Sequence, residues 1–314
     1  MGTCIKDFVA GETVVGFYVL KWKDIKTSST NKTFIDYTIQ DVTGTVNAKH
    51  WGPLTDADME YEVGAIVKIE AAITLFNGSL QAKIQRIRRA RDEDDYDIAD
   101  IIPVAPIPAE AMYYEIEGFI SSIEHPDIRR LVAVYYDRNR ERIMYYPAAK
   151  TNHHSIRSGL LYHMLRMLRT GKGICDVYTH LNRDLVYAGV LLHDLEKLNE
   201  MNANELGIVD EYTKEGQLLG HIIMGIKVID ALAKELKIDP EISLLLQHLV
   251  LTHHYEPEFG SPKKPAIPEG EVLHHLDMLD ARIYDMEKAT EFTEPGTFSD
   301  PVFNLERRRI YKLK

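Results

Sequence analysis

Leu191-Leu192-His193-Asp194 ends an apolar stretch of the chain with a histidine and an aspartate side by side. His163 lies 30 residues before His193. His221 lies 28 residues after it, and His253 follows another 32 residues on. Imidazole and carboxylate are the ligands that borderline and hard divalent metals select. One such residue per successive helix lets an all-α domain bring its ligands to one interior point, so the spacing predicts a metal-dependent hydrolase.

The 314-residue chain has the composition of a globular protein and the length of two ordinary domains. No apolar run reaches the ~18 residues of a membrane span. The first residues lack the basic-then-apolar pattern of a signal peptide. Cys4 and Cys175 form no CxxC pair, so neither disulfides nor thiolate metal sites are expected. We expect a cytoplasmic protein with no membrane partner.

The net charge of −11 is unevenly distributed along the chain. Residues 1–91 carry 12 Lys and Arg against 10 Asp and Glu, whereas residues 92–314 carry 25 against 38. Because an acidic surface repels phosphates, any contact with nucleic acid is expected to follow a local basic track rather than the whole surface.

The first ninety residues alternate between apolar and polar in the manner of β-strands. A turn at residues 41–44 and the hairpin signal Asn77-Gly78 separate some of these runs. Strands of this number and length predict a small closed barrel, for which the OB-fold is the leading interpretation and an SH3-like barrel the rival. The predicted strands cover residues 14–21, 34–39, 45–51, 67–75 and 80–84.

From about residue 110 the apolar residues recur with helical spacing. Between the two patterns lies a segment that is first basic, then acidic, then proline-rich, which is typical of a linker. The sequence thus predicts an α+β multidomain protein: an OB-fold over 1–91, a linker over 92–110, an all-α domain over 111–292 and an irregular tail over 293–314. The predicted helices cover residues 127–142, 155–170, 184–195, 215–236, 240–252 and 269–288.

The histidine motifs resemble those of a known family. His163, His193-Asp194 and Asp277 match the H…HD…D pattern of the HD-domain phosphohydrolase superfamily. The chain also resembles the YhaM-like 3′→5′ exoribonucleases, which place an OB-type domain before an HD domain and have about this length. That resemblance spans nearly the whole chain and implies an HD-type fold for the helical part. Its most specific strings are residues 152–163, 191–197, 253–254, 258–262 and 273–282.

The metal ligands implied by the resemblance form two sets that share Asp194. Two ions are expected, with Mn²⁺ favoured and Mg²⁺, Fe²⁺ or Co²⁺ left open. The chain departs from the family at Glu196, where HDxGK has glycine, and at Tyr255, where HHG has glycine, but neither change removes a ligand. The first set is His163, His193, Asp194 and Asp277, and the second is Asp194 with His221 and with His253 or His254.

The resemblance also implies the chemistry of the site, namely hydrolysis of phosphodiester bonds by water that metal ions activate. Asp194 is a catalytic candidate because it would join the two ions. A cation near the scissile group offsets charge developing on phosphorus, and Lys197 is the first candidate for it, with Arg157 second. Asp280 is expected to contact a ligand side chain rather than a metal.

Basic residues alternate with aromatic residues on the predicted strands, which is the composition of a face that binds single-stranded nucleic acid. A pair of lysines also follows the metal histidines in a predicted turn. Each aromatic residue equally fits the barrel core, and the turn equally fits a solvated loop. The candidates are Lys21, Trp22, Lys23, Lys49, Trp51, Phe76 and Lys83 on the barrel, and Lys263 and Lys264 in the turn.

The leading functional hypothesis is therefore a metal-dependent 3′→5′ exoribonuclease that degrades single-stranded RNA to nucleoside 5′-monophosphates, with single-stranded DNA left open as a second substrate. One alternative is an HD-domain phosphohydrolase of free or cyclic nucleotides. The other is a non-catalytic accessory protein that binds nucleic acid. A homo-oligomer is also left open.

Overall fold

The computed structural model describes residues 2–91 and 93–314, and the chain divides into two compact units, Met1–Val104 and Ala105–Lys314. The first unit contains strands β1 (Thr13–Thr27), β2 (Thr33–Asp41) and β3 (Gly44–His50), helix α1 (Asp56–Glu60), and strands β4 (Ile66–Phe76) and β5 (Ser79–Arg89). The strands close into a barrel in the order β1-β2-β3-β5-β4. All neighbours pair antiparallel except β3 and β5, which pair in parallel. This is the OB-fold topology, so the prediction is confirmed over its SH3-like rival.

The barrel interior follows from strict alternation along the strands. Val67, Ile69, Ala71 and Ile73 of β4 are all buried, while the residues between them are partly exposed. The hairpin turn Asn77-Gly78 has positive φ at both residues (51° and 81°), as a tight turn between twisted strands requires. The alternation seen in the sequence therefore accounts for which residues of β4 enter this core.

The second unit is built from helices around one hydrophobic core. A two-stranded sheet, not predicted from the sequence, lies between two of the helices. Helix α5 is apolar on all sides, and every residue of it from Leu185 onward is buried. The elements are α2 (Ala109–Ser122), α3 (Pro126–Ile143), α4 (Gly159–Val177), α5 (Arg183–Leu192), α6 (Lys197–Glu200), β6 (Met201–Ala203), β7 (Val209–Tyr212), α7 (Lys214–Leu236), α8 (Pro240–Thr252) and α9 (Pro268–Glu291).

Helix α7 is long and apolar enough, by length and composition, to cross a membrane. However, 44% of its most apolar window is buried inside the protein. Its backbone also leaves the helical conformation at Gly220, with φ 70° and ψ 162°. Partial burial in the hydrophobic core and the interruption at Gly220 favour a core helix interrupted at one point.

The tail after α9 folds back on itself. Antiparallel bridges join Phe298 to Tyr311 and Val302 to Arg308. The guanidinium of Arg282 in α9 donates two hydrogen bonds, of 3.0 and 3.1 Å, to the carboxylate of Glu306. The tail is thus irregular in secondary structure and is held by defined contacts.

Candidate metal centre

Helix α5 delivers His193 and Asp194 to the interior of the helical unit. The helix ends at Leu192, and both following residues are almost fully buried (0% and 1% exposed). One turn earlier, a Cβ on Gly189 would lie 3.1 and 3.3 Å from side chains of α9 and α8. The absence of a side chain at Gly189 therefore lets the end of α5 approach the two helices that carry further histidine and aspartate ligands.

One oxygen of Asp194 faces the first group of ligand atoms. Its Oδ2 lies 3.4 Å from Nε2 of His193 and 3.9 Å from Nε2 of His163. The Oδ1 atom of Asp277 on α9 lies 3.3 Å from the same Nε2 of His163. One nitrogen each of His163 and His193 and one oxygen of Asp277 lie within 4.8 Å of one another, which is compatible with a single cation.

The other oxygen of Asp194 faces a second group. Its Oδ1 lies 3.3 Å from Nε2 of His221 and 3.8 Å from Nε2 of His253. His254 joins them, with its ring centroid 4.1 Å from that of His253. Ligand atoms of Asp194, His221, His253 and His254 all lie within 4.8 Å of one another. The site thus has two halves that share one carboxylate.

The atoms that point into the centre lack partners. Leaving a buried polar atom without a hydrogen bond costs about 1–3 kcal/mol. A divalent cation would satisfy such nitrogen and oxygen atoms at once, so the donor set fits a metal of the Mn²⁺, Fe²⁺, Co²⁺ or Zn²⁺ type. Among the described residues, the buried side-chain atoms without a hydrogen bond include Nε2 of His163, His193, His221 and His253 and Oδ1 of Asp194.

Main-chain carbonyls fix the tautomer of two of these histidines. The Nδ1 atoms of His193 and His253 lie 2.9 and 2.8 Å from the carbonyl oxygens of Val190 and Val250, three residues earlier in each case. A carbonyl only accepts, so Nδ1 must donate and Nε2 keeps its lone pair for a metal. Each histidine follows the last turn of a helix, and the local fold therefore orients its ring.

Carboxylates fix the tautomers of the other two histidines, His163 and His221. Asp280 Oδ2 accepts a hydrogen bond of 2.8 Å from Nδ1 of His163. Glu200 Oε1 accepts from Nδ1 of His221 at 3.1 Å and from its main-chain N–H at 3.0 Å. A carboxylate on the outer nitrogen makes an imidazole a stronger metal ligand. The sequence predicted this type of role for Asp280, but nothing in it drew attention to Glu200.

The interruption of α7 explains how Glu200 reaches His221. Because the backbone turns away at Gly220, His221 begins a new helical segment and its N–H is free to bond the carboxylate. One turn earlier, a side chain at Gly216 would collide with the carbonyl oxygen of Glu200. The two glycines thus allow close approach of α6 and α7 at the metal centre.

Asp280 also holds two residues that the sequence did not single out. His154, which is fully buried, places Nε2 2.7 Å from Asp280 Oδ2, and Arg166 Nε donates to Oδ1 at 2.6 Å. Burial lowers the pKa of His154 to about 4. Burial also acts to lower the pKa of His163, but the adjacent carboxylates of Asp277 and Asp280 raise that pKa to about 9.

Of the two predicted cations, Lys197 lies in the centre and Arg157 does not contact it. Lys197 Nζ is 2.7 Å from Asp194 Oδ2, and its side chain is 12% exposed. Arg157 Nε donates instead to the carbonyl of Glu205 at 3.0 Å. Glu196, one of the departures from the family, accepts a hydrogen bond from the hydroxyl of Tyr135.

On the barrel, an aromatic group forms at the end of β3. Trp51 stacks on Phe34, which the sequence did not single out, with centroids 4.2 Å apart. Lys49 Nζ lies 5.1 Å from the ring of Phe34 and 5.4 Å from that of Phe76. Trp51 and Phe76 are 38% and 55% exposed, so neither ring is buried in the barrel core. Lys83 pairs with Lys49 across the β3–β5 ladder.

The remaining predicted basic residues differ in their surroundings. Lys23 donates from Nζ to three main-chain carbonyls at the end of α1, at 2.6–3.3 Å, so its charge is engaged there. Lys21 and Trp22 are exposed on β1. Lys263 and Lys264 are exposed in the loop before α9, and Lys264 Nζ lies 4.5 Å from the ring of Tyr255.

Known proteins resemble this chain over nearly its whole length. Residues 160–282 match the family model described as the HD domain. The chain is 38% identical over 302 residues to the 3′-5′ exoribonuclease YhaM of Bacillus subtilis (strain 168), and the match covers 96% of this chain and 95% of that protein. The chain belongs to the YhaM family. The resemblance inferred from the sequence motifs is therefore confirmed, as is the HD-type fold of the helical part.

Solved structures similar to part of the chain contain OB-folds or bind single-stranded DNA. The second OB-fold domain of replication protein A from Methanococcus maripaludis is 16% identical, with a TM-score of 0.25, covering 31% of this chain and 100% of that one. The mitochondrial single-stranded DNA binding protein Rim1 from S. cerevisiae is 14% identical, with a TM-score of 0.24, covering 27% and 100%. The assignment of the barrel as an OB-fold rests on its strand order and pairing.

The position of Asp194 between the two ligand groups leads to a prediction about metal content. Asp194→Ala should abolish binding of Mn²⁺ in both halves, whereas His221→Ala should weaken only the half that contains His221. Metal content after reconstitution and desalting, measured by mass spectrometry, tests this. Circular dichroism controls for folding. Retention of a full complement of metal by folded Asp194→Ala would contradict the shared role.

Glu200 gives a second prediction. Glu200→Gln keeps the size of the side chain but removes the charge beside His221, so Mn²⁺ affinity in that half should fall about 10- to 100-fold. Calorimetric titration with Mn²⁺ measures the change. Glu235→Gln is the matched control, because Glu235 is exposed and its carboxylate pairs with Arg138 rather than with a histidine. Equal affinities of Glu200→Gln and the unaltered protein would rule the role out.

Proposed function

We propose that this protein is a metal-dependent 3′→5′ exoribonuclease that degrades single-stranded RNA and releases nucleoside 5′-monophosphates. The observation that carries the proposal is the pair of ligand groups that share Asp194 within an HD-family domain. YhaM, the relative that matches this chain almost end to end, is named a 3′-5′ exoribonuclease. The direction of degradation is taken from that relative.

Divalent metal bound in this centre would lower the pKa of an attacking water and offset negative charge on the phosphate oxygens. The donor atoms are nitrogen and oxygen without sulfur, which suits Mn²⁺ as the ion. The two ligand groups support two ions as the number. One ion would be held by His163, His193, Asp194 and Asp277, and the other by Asp194, His221, His253 and His254.

Lys197 is the residue of the chain best placed to bind the scissile phosphate. Its ammonium has three N–H donors, and the contact with Asp194 at 2.7 Å uses one of them. The others can donate to a phosphate oxygen and stabilise the charge that grows there during attack. Burial acts to lower the pKa of Lys197, but Asp194 raises it above its usual value, so the side chain keeps its charge.

The barrel supplies the means to hold an RNA strand. Exposed rings at Trp51 and Phe76 offer stacking surfaces for bases, and Lys49 and Lys83 offer charges for the backbone. Stacking and backbone contacts are tolerant of sequence, so we expect little base specificity and binding of single-stranded DNA as well as RNA. A cytoplasmic location and a homo-oligomeric state are further parts of the proposal that rest on the sequence alone.

The activity can be tested with a 5′-labelled single-stranded RNA in Mn²⁺, in Mg²⁺ and in EDTA, with Asp194→Ala as the variant. We expect a metal-dependent ladder that shortens from the 3′ end and is absent from Asp194→Ala. Intact RNA together with turnover of free or cyclic nucleotides would select the phosphohydrolase alternative. Metal-independent RNA binding without hydrolysis of any substrate would select the accessory-protein alternative.

The barrel track gives a separate prediction. Trp51→Ala and Phe76→Ala should each raise KM for a long single-stranded RNA about tenfold, because each loses one base-stacking surface. The value of kcat for a dinucleotide should not change. Tyr114→Ala removes an exposed ring (78%) from the helical unit and is the matched control. An unchanged KM in both barrel variants would exclude the track.

A further inference from the structure

Tyr255 adopts a backbone conformation that its side chain disfavours. Its φ is +68°, in the left-handed region, where a bulky L-residue is strained and glycine or asparagine is ordinary. It lies just beyond α8, and its N–H donates to the carbonyl of Thr252 at 2.9 Å. This is the position after a helix where glycine usually stands. A tyrosine here is unfavourable for the fold and is more readily explained by a function.

The backbone around Tyr255 is held in place on both sides. The N–H of His254 donates to the hydroxyl of the fully buried Ser261 at 3.1 Å. The Nδ1 atom of His254 donates to the carbonyl of Phe259 at 2.6 Å. The strained conformation is therefore fixed by the same loop that orients a ligand of the second metal half.

The ring of Tyr255 packs against a histidine that contacts the main chain of a metal-ligand residue. The residue directly follows His253 and His254, which belong to the second half. Its ring packs on that of His274, with centroids 4.7 Å apart and an interplanar angle of 31°. His274 is one turn before Asp277 on α9, and its Nδ1 lies 2.8 Å from the carbonyl of His253.

The ring serves no evident purpose in packing. Tyr255 is half-buried and belongs to neither hydrophobic core. Within residues 2–91 and 93–314, its hydroxyl makes no hydrogen bond. Besides His274, the ring meets the ammonium of Lys264, 4.5 Å from its centroid, on a side chain that is 60% exposed and paired loosely with Glu256 at 3.6 Å. An exposed ammonium of this kind is easily displaced.

From these contacts we infer that Tyr255 is a substrate-positioning residue, whose ring stacks on the base of the nucleotide held at the metal centre. The base would take the place of the Lys264 ammonium against the ring. Stacking on a tyrosine accepts any base, which suits an enzyme that removes successive nucleotides. The inference rests on the proposed function for its substrate class, a nucleotide at the end of a single strand.

The test compares two sugar phosphates, one with a base at C1 of the ribose and one with a hydroxyl there. Binding of AMP and of ribose 5-phosphate to the full chain loaded with Mn²⁺ is measured by calorimetry, for the unaltered protein, Tyr255→Phe and Tyr255→Asn. Asparagine tolerates the left-handed backbone, so Tyr255→Asn removes the ring without adding strain. Mn²⁺ content and thermal unfolding are recorded for each variant, and Tyr255→Gly serves as a second ring-less variant if Tyr255→Asn loses metal.

We expect the unaltered protein and Tyr255→Phe to bind AMP about tenfold more tightly than ribose 5-phosphate. Tyr255→Asn should bind the two ligands equally. Without the ring, the protein loses the stacking contact that distinguishes AMP from ribose 5-phosphate. Equal affinities in the unaltered protein, or an undiminished preference in the ring-less variant, would overturn the inference. A preference for AMP that depends on Tyr255, combined with intact RNA in the ladder assay, would retain the subsite and refute the exoribonuclease.

Discussion

The helical unit depends on one buried carboxylate that faces two sets of histidines. Asp194 has a side chain that is only 2% exposed, and the ammonium of Lys197 lies 2.7 Å from one of its oxygens. Burial acts to raise the pKa of Asp194, but Lys197 and the neighbouring histidines hold it well below its usual value, so the group is an anion. A buried anion is stable only when cations and donors surround it, and the helices around α5 are arranged to bring them there.

The histidines reach that carboxylate in two physically different ways. His193 and His253 follow the ends of helices, and their rings are oriented by carbonyls of their own last turn. His163 and His221 instead depend on carboxylates from elsewhere in the chain. The first kind of orientation follows from local sequence, whereas the second exists only once the helices have packed. Metal affinity is therefore coupled to tertiary structure most strongly through the second kind.

The difference between local contacts and contacts between distant parts of the chain also explains which features could be predicted from the sequence. Alternation and helical spacing placed the barrel strands and most helices, because burial of one face is a local pattern. His154 could not be assigned a role, since its contact with Asp280 spans 126 residues. Likewise, α4 was predicted from residue 155 but begins at Gly159, because the chain is left-handed at His154 and Ser158 (φ 54° and 61°). Spacing does not reveal such breaks.

Some of those breaks lie in segments that lead into or out of the metal-ligand residues. His154, Ser158 and Tyr255 all have positive φ without being glycine, and Gly220 interrupts α7 beside a ligand. Each departure costs stability that the surrounding core must offset. His154 then contacts Asp280, and the break at Gly220 frees the N–H of His221 for Glu200. Local backbone preferences do not predict these conformations, because the fold is selected for the position of a few polar atoms as well as for packing. The same reasoning separates Tyr255 from the exposed rings elsewhere. This residue directly follows two candidate ligands, and its backbone has a conformation that packing alone does not favour.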